Sequence, residues 1–187
     1  RQKALVIAYA VHETGRREVI GLDVGESETE AFWREFLRSL RARGLAGVQL
    51  VVSDAHEGLK NAIAKVMGCP WQRCTVHFLR DMLGHVQKAQ QQMVGAAIRQ
   101  VFAASSRSEA SAILTDVVER FQAAAPKVAG LLEAAEEDLL AFMAFPPGGL
   151  RILSSHGRTN RRKGYKTGPA REPAPPARLL VCTAQQA

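Results

Sequence analysis

Asp54 is the residue best placed to do chemistry. It follows the apolar run Val48–Val52, in the stretch Val51-Val52-Ser53-Asp54-Ala55-His56-Glu57-Gly58. An apolar strand that ends in a carboxylate puts that group at the carboxyl edge of a sheet, where α/β proteins bind ligands and metal ions. The competing role is capping, because Asp and Ser ahead of a helix accept backbone N–H groups. Ser53 or Asp54 stands where a helix over His56–Met67 would need its cap. Cys74 and His77 form a second feature, a Cys-x-x-His pair. Thiolate and imidazole suit zinc, but a structural site takes four ligands. Cys69 and His85 are the further donors that such a site would recruit. The simpler alternative makes Cys74 a small buried hydrophobe and His77 a residue at a helix start.

Other polar groups have weaker claims. Asp23, in Gly21-Leu22-Asp23-Val24-Gly25, either faces the same sheet edge as Asp54 or ends a strand beside a turn, and the second reading is preferred. Glu133, Glu136, Glu137 and Asp138 lie together on one predicted helix, where such stretches are usually solvated. Arg158, Arg161, Arg162, Lys163 and Lys166 form a cluster suited to nonspecific phosphate contacts, or are accidental to an out-of-frame tail.

The elements that would position these residues follow from periodicity. Ala4–Val11 and Glu18–Val24 read as strands, separated by the polar, Gly-containing Glu13–Arg16, and so as an antiparallel hairpin. Ser27 with Glu30 resembles a capping box. Phe32, Phe36, Leu37 and Leu40 then fall at helical spacing within Glu28–Arg43, and Gly44 ends the run. Val48–Val52 after that helix reads as a buried parallel strand. His56–Met67 reads as a helix closed by Gly68, and Trp71–Phe78 as a strand running into a helix. From Leu79 to Phe145 apolar residues recur every three or four positions without strand signals, which predicts three or four helices broken near Ala123–Pro126.

The charge is divided unevenly. Residues 1–146 carry 17 basic and 17 acidic residues, so the whole net charge of +7 resides in 147–187. That tail also holds five of the eight prolines and five of the 15 glycines, and it reads as disordered or non-native sequence. Three cysteines make no disulfide framework, and a reduced, cytoplasmic setting is the expectation. No apolar run reaches 18 residues, so no transmembrane helix is expected. The apolar start breaks at His12-Glu13 and lacks a cleavage pattern, unlike a signal peptide. The chain does not begin with Met, so its start is expected to lie upstream or to have been processed.

The order of elements suggests a ribonuclease H-like core with an inserted helical domain. Gly21–Gly25 followed by Phe32-Trp33 and Phe36-Leu37 is similar to the second half of the catalytic core of mutator-type transposases of bacterial insertion sequences. Leu45–Leu59 (LAGVQLVVSDAHEGL) resembles the segment that bears that family's second catalytic Asp. Trp71–Arg80 resembles its Cys-x-x-His signature, and Glu136–Pro146 the end of its helical insertion. The likeness runs from about Leu5 to Pro146.

The resemblance implies an α/β fold: residues 1–78 an incomplete ribonuclease H-like core with a mixed sheet and helices, 79–146 an all-α insertion, and 147–187 a disordered or frameshifted tail. It implies DNA cleavage and strand transfer in transposition. In the family, two Asp and one Glu hold two Mg²⁺ or Mn²⁺ ions that activate water or a 3′-hydroxyl and stabilise the leaving oxygen. Asp54 takes one of those three places and a metal-ligand role with it. The first Asp belongs to a strand before Ala4, and the Glu to a stretch replaced here by Pro147–Ala187, whose single acidic residue is Glu172. The chain is therefore expected to be a fragment truncated at both ends, inactive by itself and weak in metal binding. The partners implied are the DNA ends of an insertion element, and full-length transposase or a second copy of the chain. A non-catalytic fragment that binds DNA or transposase and modulates transposition is the alternative. A frameshift after Pro146 would leave the melting temperature unchanged on truncation there.

Overall fold

The computed structural model describes residues 4–12, 16–25, 29–145 and 177–186. The first two strands, β1 (Ala4–His12) and β2 (Arg17–Gly25), pair antiparallel. His12 N–H donates to Arg16 O (2.9 Å) where the hairpin closes. Val6, Ala8 and Ala10 alternate on one buried face of β1, whereas β2 is an edge strand that leaves Leu22 and Val24 exposed.

Helix α1 (Glu30–Ala42) buries Phe36, Leu37 and Leu40 of the predicted stripe, with Trp33 rather than the half-buried Phe32 as its fourth member. Its cap is Thr29, whose Oγ1 accepts from Phe32 N–H (3.2 Å). The Ser27 proposed for that role lies outside the described residues. Strand β3 (Leu50–Ser53) is buried along its whole length and leads into helix α2 (Glu57–Val66). That helix stops at Gly68, whose φ of +64° is unfavourable for a residue with a side chain. Strand β4 (Trp71–Arg73) returns parallel to β3.

Four helices follow, at the upper end of the expected number: α3 (Thr75–Gly84), α4 (Lys88–Ala103), α5 (Arg107–Ala124) and α6 (Pro126–Leu140). Pro126 opens α6 at its first turn, where its missing N–H costs nothing. Phe78, Met82, Ile98, Leu114, Leu132 and Leu139 form the core of this block.

The α/β class with a mixed sheet and a helical block agrees with the expectation from sequence. The tail differs. Ala177–Gln186, part of the segment expected to lack structure, forms strand β5. It occupies the middle of the sheet, whose order is β2-β1-β5-β3-β4. It runs antiparallel to β1 and parallel to β3. Its apolar run Leu179-Leu180-Val181-Cys182 is short and follows a proline cluster, so it resembled linker. A strand buried on both faces shows no alternation by which to recognise it. Residues 147–176, including the Arg158–Lys166 cluster, lie outside the described residues.

Leu180 and Cys182 pack on one face with Val6, Trp33, Leu37 and Ile63. Val181 packs on the other with Val11, Leu50 and Val52. Both faces and both edges of β5 are thus engaged. Truncation after Pro146 should therefore abolish cooperative melting rather than leave it unchanged. Val181→Pro removes one ladder donor from a central strand, at about 3 kcal/mol or more. For a chain of this size that is a fall in Tm of roughly 6–12 °C. Calorimetry checks both, and a shift under about 2 °C in the proline variant would show that β5 does not hold the sheet together.

Candidate metal and catalytic site

Asp54 is placed by a short rigid segment. Ser53 Oγ accepts from Trp71 Nε1 (2.7 Å) and donates to Asp54 O (2.9 Å), which ties the end of β3 to β4. One residue further, Cys74 N–H donates to Ser53 O (2.7 Å). This bond extends the β3–β4 pairing by one step and sets the start of α3 against the Ser53–Asp54 link. Cys74 is the N-cap of α3 but makes no side-chain capping bond. His77 lies three residues on, so both side chains lie on one face of the first turn.

The capping alternative for Asp54 is resolved by its neighbour. His56 is the N-cap of α2, and its Nδ1 accepts from Leu59 N–H (3.3 Å). A histidine is an unusual cap, which is why the spacing pointed to Ser53 or Asp54. Gly58 in the same turn lies against the start of α1, where a Cβ would come within 2.9 Å of Glu30 N.

The carboxylate of Asp54 instead meets His77. Asp54 Oδ1 and His77 Nδ1 are in direct contact, a charged pair only when the imidazole is protonated, and neither of these two buried atoms has a conventional hydrogen-bond partner. Burial lowers the pKa of His77, Arg80 adds to that effect, and Asp81 opposes it. One ligand atom each from Asp54, Cys74 and His77 lies within 4.8 Å of the other two, and all three residues are partly exposed. Among the described residues this is the one group of three or more such side chains that gathers in this way.

The other candidates separate from it. Cys69 and His85 are not in the group; burial raises the Cys69 thiol, and His85 is exposed beyond the end of α3. Cys182 is enclosed in the core, which pushes its thiol up to about 12. Asp23 lies on the edge strand, three strand positions from β3 and so roughly 14 Å away at normal strand spacing. Its Oδ1 accepts from Val24 N–H (2.8 Å). In the acidic stretch, Asp138 binds Lys60 (2.9 Å), Glu137 binds Arg107 (2.6 Å), Glu136 accepts from Ser111 Oγ, and Glu133 is exposed.

One residue beside the site was not anticipated. Gln72 is 1% exposed in the middle of β4. Its Nε2 donates to Leu139 O (2.8 Å) and its Oε1 accepts from Phe142 N–H (2.9 Å). An uncharged amide at the centre of a short strand was the signal available.

The family model described as "Transposase, Mutator family" matches residues 1–162. The match continues past Pro146, where the likeness read from sequence ended, and stops short of β5. The chain is 37% identical over 170 residues to the transposase of insertion sequence element IS406 from Burkholderia multivorans, covering 88% of this chain and 44% of that protein. It is also 37% identical over 166 residues to the transposase of IS1081 from Mycobacterium tuberculosis, covering 87% of this chain and 40% of that one. With the transposase of IS256 in transposon Tn4001 from Staphylococcus aureus it shares 40% over 101 residues, 54% and 26% of the two chains. The chain belongs to the Mutator family of transposases, and it spans less than half the length of these relatives.

The capping assignment has a direct test. His56→Ala removes a cap and should cost about 1 kcal/mol, a fall in Tm of roughly 2–4 °C. Asp54→Ala removes none and, made together with His77→Ala so that no buried imidazole nitrogen is left facing it, should stay within about 0.5 kcal/mol of the His77→Ala protein. A larger loss from the Asp54 substitution than from the His56 substitution, read by thermal unfolding, would return the capping role to Asp54.

Proposed function

We propose that this chain is a segment of an insertion-element transposase, and that Asp54 is one of the carboxylates through which such an enzyme cleaves DNA and transfers strands. The observation that carries the reading is the position of Asp54 in a member of the Mutator family. Its carboxylate follows a buried parallel strand, and the neighbouring helix is capped by His56. DNA at the ends of an insertion element is the substrate, in keeping with what the relatives' names say of those proteins. The sheet with its helices serves as a ribonuclease H-like catalytic core, and α3–α6 as a helical insertion within it.

The family implies a divalent ion. Mg²⁺ takes oxygen ligands in an octahedron, and Asp54 supplies the one carboxylate of the cluster, beside a thiol and an imidazole. These three residues by themselves do not suit Mg²⁺. Efficient cleavage therefore requires further carboxylates from outside the described residues or from another transposase chain. Asp54 in this setting positions a single hard ligand, and Ser53, Trp71 and the start of α3 keep it in place.

A supercoiled plasmid carrying insertion-element ends, incubated with the full chain and Mn²⁺, tests the assignment. Cleavage should be slow, and Asp54→Asn should reduce it to the metal-free background. Equal nicking by both proteins would remove Asp54 from the reaction. Retention of the DNA on a gel without Asp54-dependent nicking would favour a binding role instead.

A further inference from the structure

The donor set that Mg²⁺ does not fit has a positive reading. We propose that Asp54, Cys74 and His77 form a site for one borderline or soft divalent cation of the Zn²⁺ class. Carboxylate, thiolate and imidazole are the ligands that Zn²⁺ and Co²⁺ take, and a thiolate argues against Mg²⁺ and Ca²⁺. The three ligand atoms already lie within 4.8 Å of one another. Around a tetrahedral ion, with bonds of about 2.0–2.3 Å, they would sit roughly 3.3–3.8 Å apart. Asp54 Oδ1 and His77 Nδ1 are in direct contact in this structure, so these two ligand atoms would move apart to admit the ion.

Each ligand is available for a physical reason. Cys74 occupies a cap position without using its sulfur to cap. Asp54 is relieved of capping by His56. His77 Nδ1 and Asp54 Oδ1 are buried, lack conventional hydrogen-bond partners and point at each other. Drawn apart around a cation, both atoms would be satisfied. The backbone beneath is fixed by the Cys74 N–Ser53 O bond and the Ser53–Trp71 bond. Three protein ligands leave a fourth position for water or an incoming group, as in zinc sites that remain open. The partial exposure of all three residues gives that position access to solvent. Because Asp54 is shared, an ion held here withholds it from an oxygen-ligated Mg²⁺.

The test uses the full chain stripped of metal and titrated with Co²⁺, which reports tetrahedral thiolate ligation by its visible bands and sulfur-to-metal charge transfer. The bands should saturate at one Co²⁺ per chain, be displaced by Zn²⁺ and be unaffected by millimolar Mg²⁺. Cys74→Ser should remove the charge-transfer band, whereas Cys69→Ser and Cys182→Ser should retain it. His77→Gln and Asp54→Asn should each weaken binding at least about tenfold, the lower end of what losing even a supporting group near a metal costs. Protection of wild-type Cys74 from alkylation by Zn²⁺ but not by Mg²⁺ gives a readout that needs no variant. A band that survives in Cys74→Ser, or alkylation equally fast with and without Zn²⁺, would overturn the proposal. Neither readout depends on whether the chain cleaves DNA, so failure here leaves the transposase reading standing, and the reverse also holds.

Discussion

The sheet depends on the backbone hydrogen bonding of one strand. The β1–β2 hairpin and the β3–β4 pair meet through β5, which bonds to β1 on one edge and to β3 on the other. Without it, two rows of peptide groups would face each other across an unfilled slot. Unpaired buried backbone groups cost free energy comparable to a lost hydrogen bond each. The side chains act in the same direction, since Leu180 and Cys182 close the core under α1 and α2 while Val181 closes the opposite face. The strand that completes the fold is also one that lies beyond residues 1–162, the part matched to the family.

The helical block is attached to the sheet by few but specific polar links. Gln72 spans the junction with both ends of its amide, binding Leu139 and Phe142. A buried amide whose partners are absent costs about 1–3 kcal/mol, so this residue fixes the register between β4 and the end of α6. Lys60 adds a half-exposed link, binding Asp138 while its ammonium lies 4.8 Å from the Trp71 ring centroid. Much of the acidic stretch on α6 is thus occupied in joining elements.

The site follows from the same local economy of hydrogen bonds. His56 caps α2, so Asp54 need not, and Cys74 begins α3 without spending its sulfur. The β3–β4 pairing, extended by one bond to Cys74, brings residues twenty or more positions apart in the chain into one cluster. Burial then keeps His77 from taking up a proton readily. A carboxylate, a thiol and an imidazole meet there because two strand ends and one helix start coincide at the carboxyl edge of the sheet.

Much of this was determined by sequence. The apolar, β-branched run of β1 and the helical spacing of Phe36, Leu37 and Leu40 specify their elements locally, which tertiary contacts only reinforce. The Asp54 and Cys74–His77 motifs were legible because their residue types are informative wherever they fall. Tertiary structure alone decided the rest. The choice between cap and free carboxylate at Asp54 turned on a neighbouring imidazole, and capping patterns do not anticipate a histidine acceptor. The third member of the Cys74–His77 group was Asp54 rather than Cys69 or His85, because strand pairing, not proximity in sequence, sets which side chains meet. The place of Ala177–Gln186 at the centre of the sheet was likewise a matter of long-range pairing. A four-residue apolar run carries no period of its own, and it becomes a strand because β1 and β3 offer hydrogen bonds on both sides.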